Sequence, residues 1–431
     1  MQTKDFNSHL FSFIDSSPTP FHAVNTMSAK LTQHGFIALH EGENWELEKG
    51  GSYLTSRDDG ALIAFTLGTD TDIDQGFKIV AAHTDSPCLK IKPQPDMPTG
   101  SLLKLGVEKY GGSLLNPWFD RDLSLAGRVC CECSDGSLRT LLIDFKRAII
   151  TIPSLAIHLD REANKNKTVQ SQQQLPPIIG QSLNAKFPEF DSIIKDQISI
   201  QYPDLDIDSV LSFDMFCYDP QPSAFLGVKN EFISAGRLDN LLSCFIGTAC
   251  MASADKTQNT IMICTNHEEN GSVSTSGASG AFIDAVFERI VPDPLERRVT
   301  FFNSFLISMD NAHATHPNFT DKSDPAHEIH LNKGPVIKNN ANQRYATNAV
   351  SSARYKRICK QVNVTPQEFV MRSDMACGST VGPMTAARLG IETIDIGAPT
   401  LAMHSIRELT GSNDPILLFK TLEHFFKTPL R

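Results

Sequence analysis

The sequence predicts an α/β protein with a mainly parallel central sheet, helices on both faces, and an inserted, mostly β domain. Apolar strand-like runs alternate with amphipathic helical segments in both end regions of the chain, which is typical of β-α-β units. Between them, short β-branched runs are separated by turns rich in Pro, Gly, Asp and Ser. We therefore expect a discontinuous domain formed by residues 1–88 and 235–431, and an insert formed by residues 89–234.

The first region begins with two predicted helices. Apolar side chains at helical spacing predict a helix over residues 4–15. Pro20 suits the first turn of a second helix, and Thr19 suits its N-cap. Strands are then predicted at residues 61–67 and 78–82, and the second is nearly all apolar, as expected of a strand buried on both faces.

The insert contains predicted strands at residues 139–144 and 148–152, and a Lys/Gln-rich flexible loop at 164–174. After residue 235 strands and helices alternate again. The predicted elements are a helix at 238–251, a strand at 260–265, a helix at 276–290, a strand at 302–308, a helix at 380–388, a strand at 394–396 and a final helix from Pro415.

The charge balance excludes several classes of function. The 39 Lys and Arg residues against 49 Asp and Glu residues give a net charge of -10, which disfavours binding to nucleic acid or to anionic membranes. The chain starts without the apolar run of a secretory signal, and no apolar stretch approaches the ~20 residues of a membrane-spanning helix. We therefore expect a cytoplasmic protein whose ten cysteines are reduced.

Candidate ligands for a metal follow several of the predicted strands. In a parallel sheet the carboxyl ends of the strands meet at one edge, where sites form. The candidate His and Asp residues are individually more often structural, for example a hydrogen-bonded strand-end His or a helix-capping Asp, whereas an adjacent pair of glutamates is the most specific single feature, although such pairs also occur in plain loops. The candidates are His83, Asp239, the adjacent pair Glu268 and Glu269, Asp310 and His404.

Taken together, two His and three carboxylates suit two zinc-like ions, and the remaining glutamate of the pair is then free to act as a general base. Asp85 stands two residues after His83, where it can hold the other ring nitrogen of that His. Zinc is the expected metal for these donors, and Co²⁺ or Mn²⁺ can substitute for it. The ligands are dispersed along the chain, so the fold must assemble the site.

Five short motifs resemble those of the M18 metallo-aminopeptidases, the aspartyl aminopeptidase family. The similarity runs in order through essentially the whole chain. The motifs are His-Thr-Asp-Ser-Pro at 83–87, Gly-Arg-Leu-Asp-Asn at 236–240, His-Glu-Glu-Asn-Gly-Ser at 267–272, Met-Asp-Asn-Ala-His-Ala at 309–314 and Met-His-Ser-Ile-Arg-Glu at 403–408.

The resemblance implies a zinc-peptidase α/β/α catalytic domain that binds two zinc ions. It implies that Glu268 is the general base for the water that attacks the peptide carbonyl, and that Asp85 orients His83. The implied metal ligands are Asp239 as the bridge, His83 and Asp310 at one ion, and Glu269 and His404 at the other.

The resemblance also implies that the insert mediates dimer contacts and that dimers assemble into a tetrahedral dodecamer. His158 stands where the family has an insert His that reaches a neighbouring site, although a plain strand His is the alternative. Further candidate substrate contacts are His313, which follows Asp310, and Arg344, which a buried salt bridge would explain as well. Asn342 stands where, as we read the family, members that prefer Asp or Glu have Lys, so acidic specificity stays open.

The expected function is therefore removal of N-terminal residues from peptides by a cytosolic di-zinc aminopeptidase. Other co-catalytic zinc hydrolases, such as a carboxypeptidase or a deacylase, share the Glu pair and the His-x-Asp element. A non-enzymatic, metal-stabilised scaffold is the second alternative. A requirement for a free substrate amine separates the first alternative from an aminopeptidase, and metal-dependent peptide hydrolysis excludes the second.

Overall fold

A computed structural model describes residues 2–184 and 186–429 of the chain. Met1, Ala185, Leu430 and Arg431, which fall within the predicted domain ranges, lie outside the described residues. The described chain divides into two compact units. The first contains the residues up to Asp85, Ser223–Met403 and the residues from Glu408 onwards; the second contains Ser86–Pro222 and His404–Arg407.

The elements are numbered in chain order. Those up to Pro222 are α1 Thr3–Asp15, α2 Pro20–Gln33, β1 Ile37–Ala38, β2 Ser52–Arg57, β3 Ala61–Thr66, β4 Lys78–His83, β5 Cys88–Thr99, β6 Leu102–Tyr110, β7 Ser124–Cys133, β8 Leu138–Asp144, α3 Ser171–Gln174, β9 Ile178–Gln181, α4 Phe190–Gln201 and β10 Ile207–Tyr218. Those that follow are β11 Ala224–Leu226, β12 Phe232–Ala235, α5 Leu238–Ser253, β13 Thr260–Thr265, α6 Phe282–Ile290, α7 Pro294–Asn303, β14 Phe305–Met309, β15 Ala312–His313, β16 Val336–Asn339, α8 Ala349–Gln361, β17 Gln367–Val370, α9 Val381–Leu389, β18 Glu392–Gly397, β19 Pro399–Leu401, β20 Glu408–Gly411 and α10 Asp414–Lys427.

The first unit is built on a large mixed sheet. Over the described residues its strand order is β1-β2-β3-β13-β4-β14-β18-β16-β17. The central strands β13, β4, β14 and β18 are parallel to their neighbours in this group, whereas β3 and β16 flank the group in antiparallel orientation. The predicted parallel centre with helices on both faces is confirmed.

Apolar side chains cover both faces of this sheet. In β4, Val80 and Ala82 face one core, and Ile79 and Ala81 face the other. Helices α1, α2, α5, α8 and α10 contribute to the first core, and α6, α7 and α9 to the second. A strand with two buried faces needs apolar residues at every position, which is why β4 reads as a continuous apolar run.

The second unit is mostly β, as the composition predicts. Its described strands form an antiparallel sheet in the order β8-β7-β10-β5-β6-β9, and α4 contributes Phe190, Ile194 and Ile198 to the core beside it. Residues 148–152, predicted as a strand, contribute only the isolated bridges of Ile150 and Thr151. None of the helices in the described part of the chain has the length and apolar composition needed to cross a membrane.

The boundary after the insert lies at Pro222 rather than at residue 234. The reason is strand pairing. Strand β11 pairs with β12, and β12 pairs with β20, so residues 224–235 belong to the first unit. These three strands form a second sheet of that unit together with β19 and β15.

Two other predicted elements start later than expected. Helix α6 begins at Phe282 rather than at residue 276, because Gly277 and Gly280 lie so close to neighbouring carbonyl oxygens that no side chain fits. Phe302, predicted to begin a strand, lies in α7, where Asp293 caps the helix and Pro294 occupies its first turn. Helices α4 and α8 were not predicted from the sequence.

Candidate metal centre

Several of the predicted site residues lie at one edge of the central sheet. His83 is the last residue of β4, Asp310 follows β14, and Glu268 lies three residues after the end of β13. Because these three strands are parallel neighbours, their carboxyl ends lie side by side. Asp239 arrives from the start of α5, where its peptide bond to Asn240 is cis.

His83, Asp239 and Asp310 form a buried cluster of potential ligands. One ligand atom from each lies within 4.8 Å of the others. The separation between His83 Nε2 and Asp239 Oδ1 is 3.5 Å. Two ligands of one tetrahedral zinc, each roughly 2.1 Å from the metal, lie about 3.4 Å apart, so this pair has the spacing that zinc requires.

Asp85 organises the site through three neighbours. Nδ1 of His83 lies 3.0 Å from the Asp85 carbonyl oxygen and 3.4 Å from its Oδ1, which directs Nε2 towards Asp239. The two carboxylate oxygens of Asp85 also accept the backbone N–H groups of Glu268 and Glu269, each at 3.1 Å. Asp85 therefore holds the backbone of the glutamate pair as well as the ring of His83. Only its contact with His83 was predicted from the sequence.

Two further residues support the cluster and were not predicted to do so. Glu408 Oε2 accepts the backbone N–H of Asp239 at 2.9 Å. Nζ of Lys338 donates to the Asn311 carbonyl oxygen at 2.9 Å and lies 3.7 Å from Asp310 Oδ1. Two signals in the sequence could have identified them. Glu408 is an acidic residue at the start of a strand, and Lys338 is a Lys among apolar strand residues.

Crowding of carboxylates sets the electrostatics of the cluster. Burial raises the pKa of Glu268 to about 7; nearby His83 opposes this change, and Asp310 adds to it. Burial likewise raises the pKa of Asp310 to about 6, against the lowering effect of Lys338. Burial would lower the pKa of His83, but hydrogen bonds to Asp239 and Asp85 raise it well above the usual range.

Buried carboxylates at this density favour a cation. Asp239 and Asp310 are at most 7% exposed, and His83 is 1% exposed, so water contributes little to balancing their charge. A divalent ion would hold these carboxylates in their charged form and His83 in its neutral form, which is the form that binds a metal. Oxygen and imidazole donors together fit zinc.

Glu269 and His404 complete the predicted ligand set. Glu269 belongs with His83 and Glu268 to a group whose ligand atoms lie within 4.8 Å of one another. His404 directly follows Met403 and lies in the segment assigned to the second unit. Its Nδ1 is 3.2 Å from the Gly112 carbonyl oxygen, the kind of contact that orients a ligating imidazole.

The predicted substrate contacts lie in different settings. His158 is exposed in a turn of the second unit and is not in a strand. His313 ends β15, with its ring 6.0 Å from that of Phe369. Arg344 and Asn342 are both exposed, and Arg344 forms no ion pair within the part of the chain that the structure describes, so the buried salt bridge considered for it is wrong.

Comparison with known proteins identifies the family. The sequence profile described as "Aminopeptidase I zinc metalloprotease (M18)" matches residues 13–426. A "Probable M18 family aminopeptidase 2" of Stutzerimonas stutzeri (strain A1501) is 47% identical over 424 residues, which cover 98% of both chains. A protein of the same name from Azotobacter vinelandii (strain DJ / ATCC BAA-1303) is 46% identical over 426 residues, covering 99% of both chains.

Solved structures share the fold over the same length. The cryo-EM structure of the Ape4 and Nbr1 complex matches with a TM-score of 0.95 at 36% identity, covering 98% of this chain and 86% of that chain. The structure of the S. cerevisiae mApe1 dodecamer matches with a TM-score of 0.85 at 26% identity, covering 98% and 96%. With its fold and its cluster of zinc-type donors, this chain belongs to the M18 family of zinc metallo-aminopeptidases.

Proposed function

We propose that this zinc metallo-aminopeptidase uses Glu268 as its general base and His83, Asp239 and Asp310 as ligands of one zinc ion. The buried cluster of these three ligands, with Glu268 within 4.8 Å of the His83 ligand atom, carries the proposal. Zinc, when bound, supplies the positive charge that acidifies water and polarises the peptide carbonyl. Glu268 takes a proton from the attacking water and returns it to the leaving amine.

We also propose a second ion, held by Glu269 and His404, with Asp239 shared between the two. The support is the donor set, since two carboxylates and an imidazole match zinc and accommodate Co²⁺ or Mn²⁺. Metal content measured by elemental analysis tests this proposal. Two equivalents per chain are expected, and a single equivalent in fully active enzyme would contradict it.

The substrates are peptides with a free α-amine. Chromogenic amino-acid anilides and their N-acetylated forms provide the test, in zinc-loaded and chelator-treated enzyme. Only the free-amine substrates should be cleaved, and only with metal. Cleavage of the acetylated forms would favour a deacylase, and cleavage from the carboxyl end of a peptide would favour a carboxypeptidase.

Preference for acidic N-terminal residues is a separate proposal, and it requires a cationic side chain that contacts the substrate. Lys338 is 3% exposed and bonded near Asp310, while Arg344 is exposed and Asn342 carries no charge. Rates on Asp-, Glu-, Leu- and Ala-linked substrates decide the question. At least tenfold faster cleavage of the Asp and Glu substrates would establish the preference.

For assembly we propose a cytoplasmic homo-oligomer, a tetrahedral dodecamer built from dimers through the insert. A structural neighbour at 26% identity is a dodecamer. The exposed position of His158 in the insert is compatible with a contact to a neighbouring subunit's site. Mass measurement by light scattering tests the assembly, and a monomer at working concentration would contradict it.

A further inference from the structure

The hairpin between β2 and β3 contacts the loop that carries the two adjacent glutamates. We define the hairpin tip as residues 57–60 and the base loop as residues 266–276. The Thr275 hydroxyl donates a hydrogen bond to the Asp58 carboxylate. Nη1 of Arg57 donates to the Thr275 carbonyl oxygen at 3.4 Å. The side-chain hydroxyl and the backbone carbonyl group of Thr275 are thus both hydrogen-bonded to the hairpin tip.

The hairpin tip also fits tightly against the start of the base loop. A Cβ atom on Gly60 would lie 2.2 Å from Nδ2 of Asn266, so any larger residue would force the buried Asn266 side chain to move. Oδ1 of the same Asn266 accepts the backbone N–H of His267 at 2.9 Å. On the side of the central sheet, the hydroxyl of Thr84, the residue after β4, donates to the Gly60 carbonyl oxygen at 2.6 Å. The hairpin tip is therefore bonded to Thr84, directly after β4, and packed against the base loop.

The hairpin tip is itself held in place from outside. Arg57 makes a two-pronged hydrogen bond with Glu41, of which the Nε to Oε1 contact is 2.9 Å. Its guanidinium lies 4.8 Å from the centre of the Phe282 ring. Both Asp58 and Asp59 adopt left-handed backbone conformations, which Asp tolerates, and Gly60 N donates to the Arg57 carbonyl oxygen at 3.2 Å to close the turn.

Backbone hydrogen bonds within the base loop link its two ends and the segment around Glu268. Asn266 N donates to the Ser276 carbonyl oxygen at 3.0 Å and closes the loop. Gly271 N donates to the Glu268 carbonyl oxygen at 2.9 Å. On the opposite side, Asp85 holds the backbone of Glu268. These hydrogen bonds connect Thr275, through its neighbour Ser276 and through Asn266, to the segment that carries Glu268.

We propose that the hairpin tip is a positioning element of the active site, in which Asp58 and Arg57 act through Thr275 to hold Glu268. The inference rests on the proposed role of Glu268 as general base. Among the described residues, Arg57, Asp58 and Thr275 belong to none of the groups of potential metal ligands. A misplacement of about 1 Å can lower a catalysed rate about 100-fold, so loosening the base loop lowers kcat while substrate binding changes little.

The first test replaces the hydroxyl of Thr275. Thr275→Val is expected to lower kcat about tenfold with KM within twofold, while Thr275→Ser keeps wild-type values. The matched control is Thr257→Val, which removes another Thr–Asp hydrogen bond, to Asp255, at the far end of β13. Unchanged kcat in Thr275→Val, or an equal loss in the control, would overturn the inference.

The second test uses the tight fit at Gly60. Gly60→Ala should lower kcat at least as much as Thr275→Val, whereas Gly180→Ala should not, since a Cβ there meets no atom within 4 Å. Hydrogen exchange of the base-loop amides should speed up in Gly60→Ala and Thr275→Val only. Unaltered exchange would overturn the inference independently of activity. Failure of wild type and controls to cleave any peptide would count against the proposed function instead.

Discussion

Asp85 shows at the residue scale why a carboxylate and an amide are not interchangeable in this site. Its two oxygens accept N–H groups from two consecutive residues, and the same side chain lies beside His83. An Asn side chain has one acceptor oxygen and an NH₂ group, which would face an N–H donor. The negative charge near the imidazole would also be lost.

We therefore predict that Asp85→Asn weakens zinc binding about 10- to 100-fold, as measured by competition with a chelator. Asp293→Asn is the matched control. Oδ1 of Asp293 alone accepts both N–H groups at the start of α7, so Asn can replace it there. Equal zinc affinity in Asp85→Asn and wild type would contradict the role given to Asp85.

The proposed base and ligands are separable at the same scale. Glu268→Gln is expected to keep its zinc and to lose about 10²- to 10⁴-fold in kcat, because an amide cannot accept the proton. Glu269→Ala and Asp239→Ala should instead lose metal, as read by elemental analysis. Full activity of Glu268→Gln would rule out Glu268 as the base, whereas loss of zinc in that variant would make it a ligand.

At the scale of elements, strand β4 has a buried titratable residue at each end. Its last residue is the proposed ligand His83, and its first residue, Lys78, is 1% exposed. Nζ of Lys78 donates to the Phe426 carbonyl oxygen at 3.0 Å. Burial lowers the pKa of Lys78 to about 7, although Asp255 nearby opposes this change.

This shift predicts how stability depends on pH. Between about pH 7 and pH 10 the unfolded chain keeps a proton on Lys78 that the folded chain has lost, so stability rises with pH over this window. Urea unfolding of Lys78→Met should show a rise between pH 7 and pH 9 that is smaller by on the order of 2 kcal/mol. Lys49→Met, at a side chain 60% exposed, is the control and should follow wild type.

The sequence pattern is informative about elements only where burial is two-sided or helical spacing is regular. The strands β4 and β13 and the helix α5 were predicted almost residue for residue. The continuous apolar runs of the strands and the helical spacing in α5 are visible within each segment itself. Helix α7 was not predicted, and its exposed residue Phe302 was instead predicted to begin a strand, because a large aromatic residue beside an apolar run resembles a strand residue. The short strands β11 and β12 depend on pairing with distant β20.

For the whole molecule, zinc binding should be coupled to folding of the first unit, since its proposed ligands come from β4, α5 and the segment after β14. A ligand that binds only the folded chain stabilises it by an amount that grows with the ligand concentration relative to its dissociation constant. We predict that a chelator lowers the thermal midpoint of the wild-type protein by several degrees and that added zinc restores it. In Asp239→Ala the chelator should have little effect, and an equal shift in that variant would contradict the assignment.

The amino-acid sequence alone determined the α/β class, the candidate ligands and the candidate base. These features are local, because the side chains stand directly after apolar runs whose burial is visible in the sequence itself. Residue types also limit the chemistry, since two imidazoles and several carboxylates indicate a divalent metal.

Only the tertiary structure decided which residues support the site and where the units divide. Glu408 holds Asp239 across 169 residues of chain, and Arg57 reaches Thr275 across 218. Such contacts depend on strand order and register, which no local pattern encodes. For the same reason β12 and its neighbours moved from the predicted insert to the first unit, since a strand belongs to the sheet in which its backbone hydrogen bonds are satisfied.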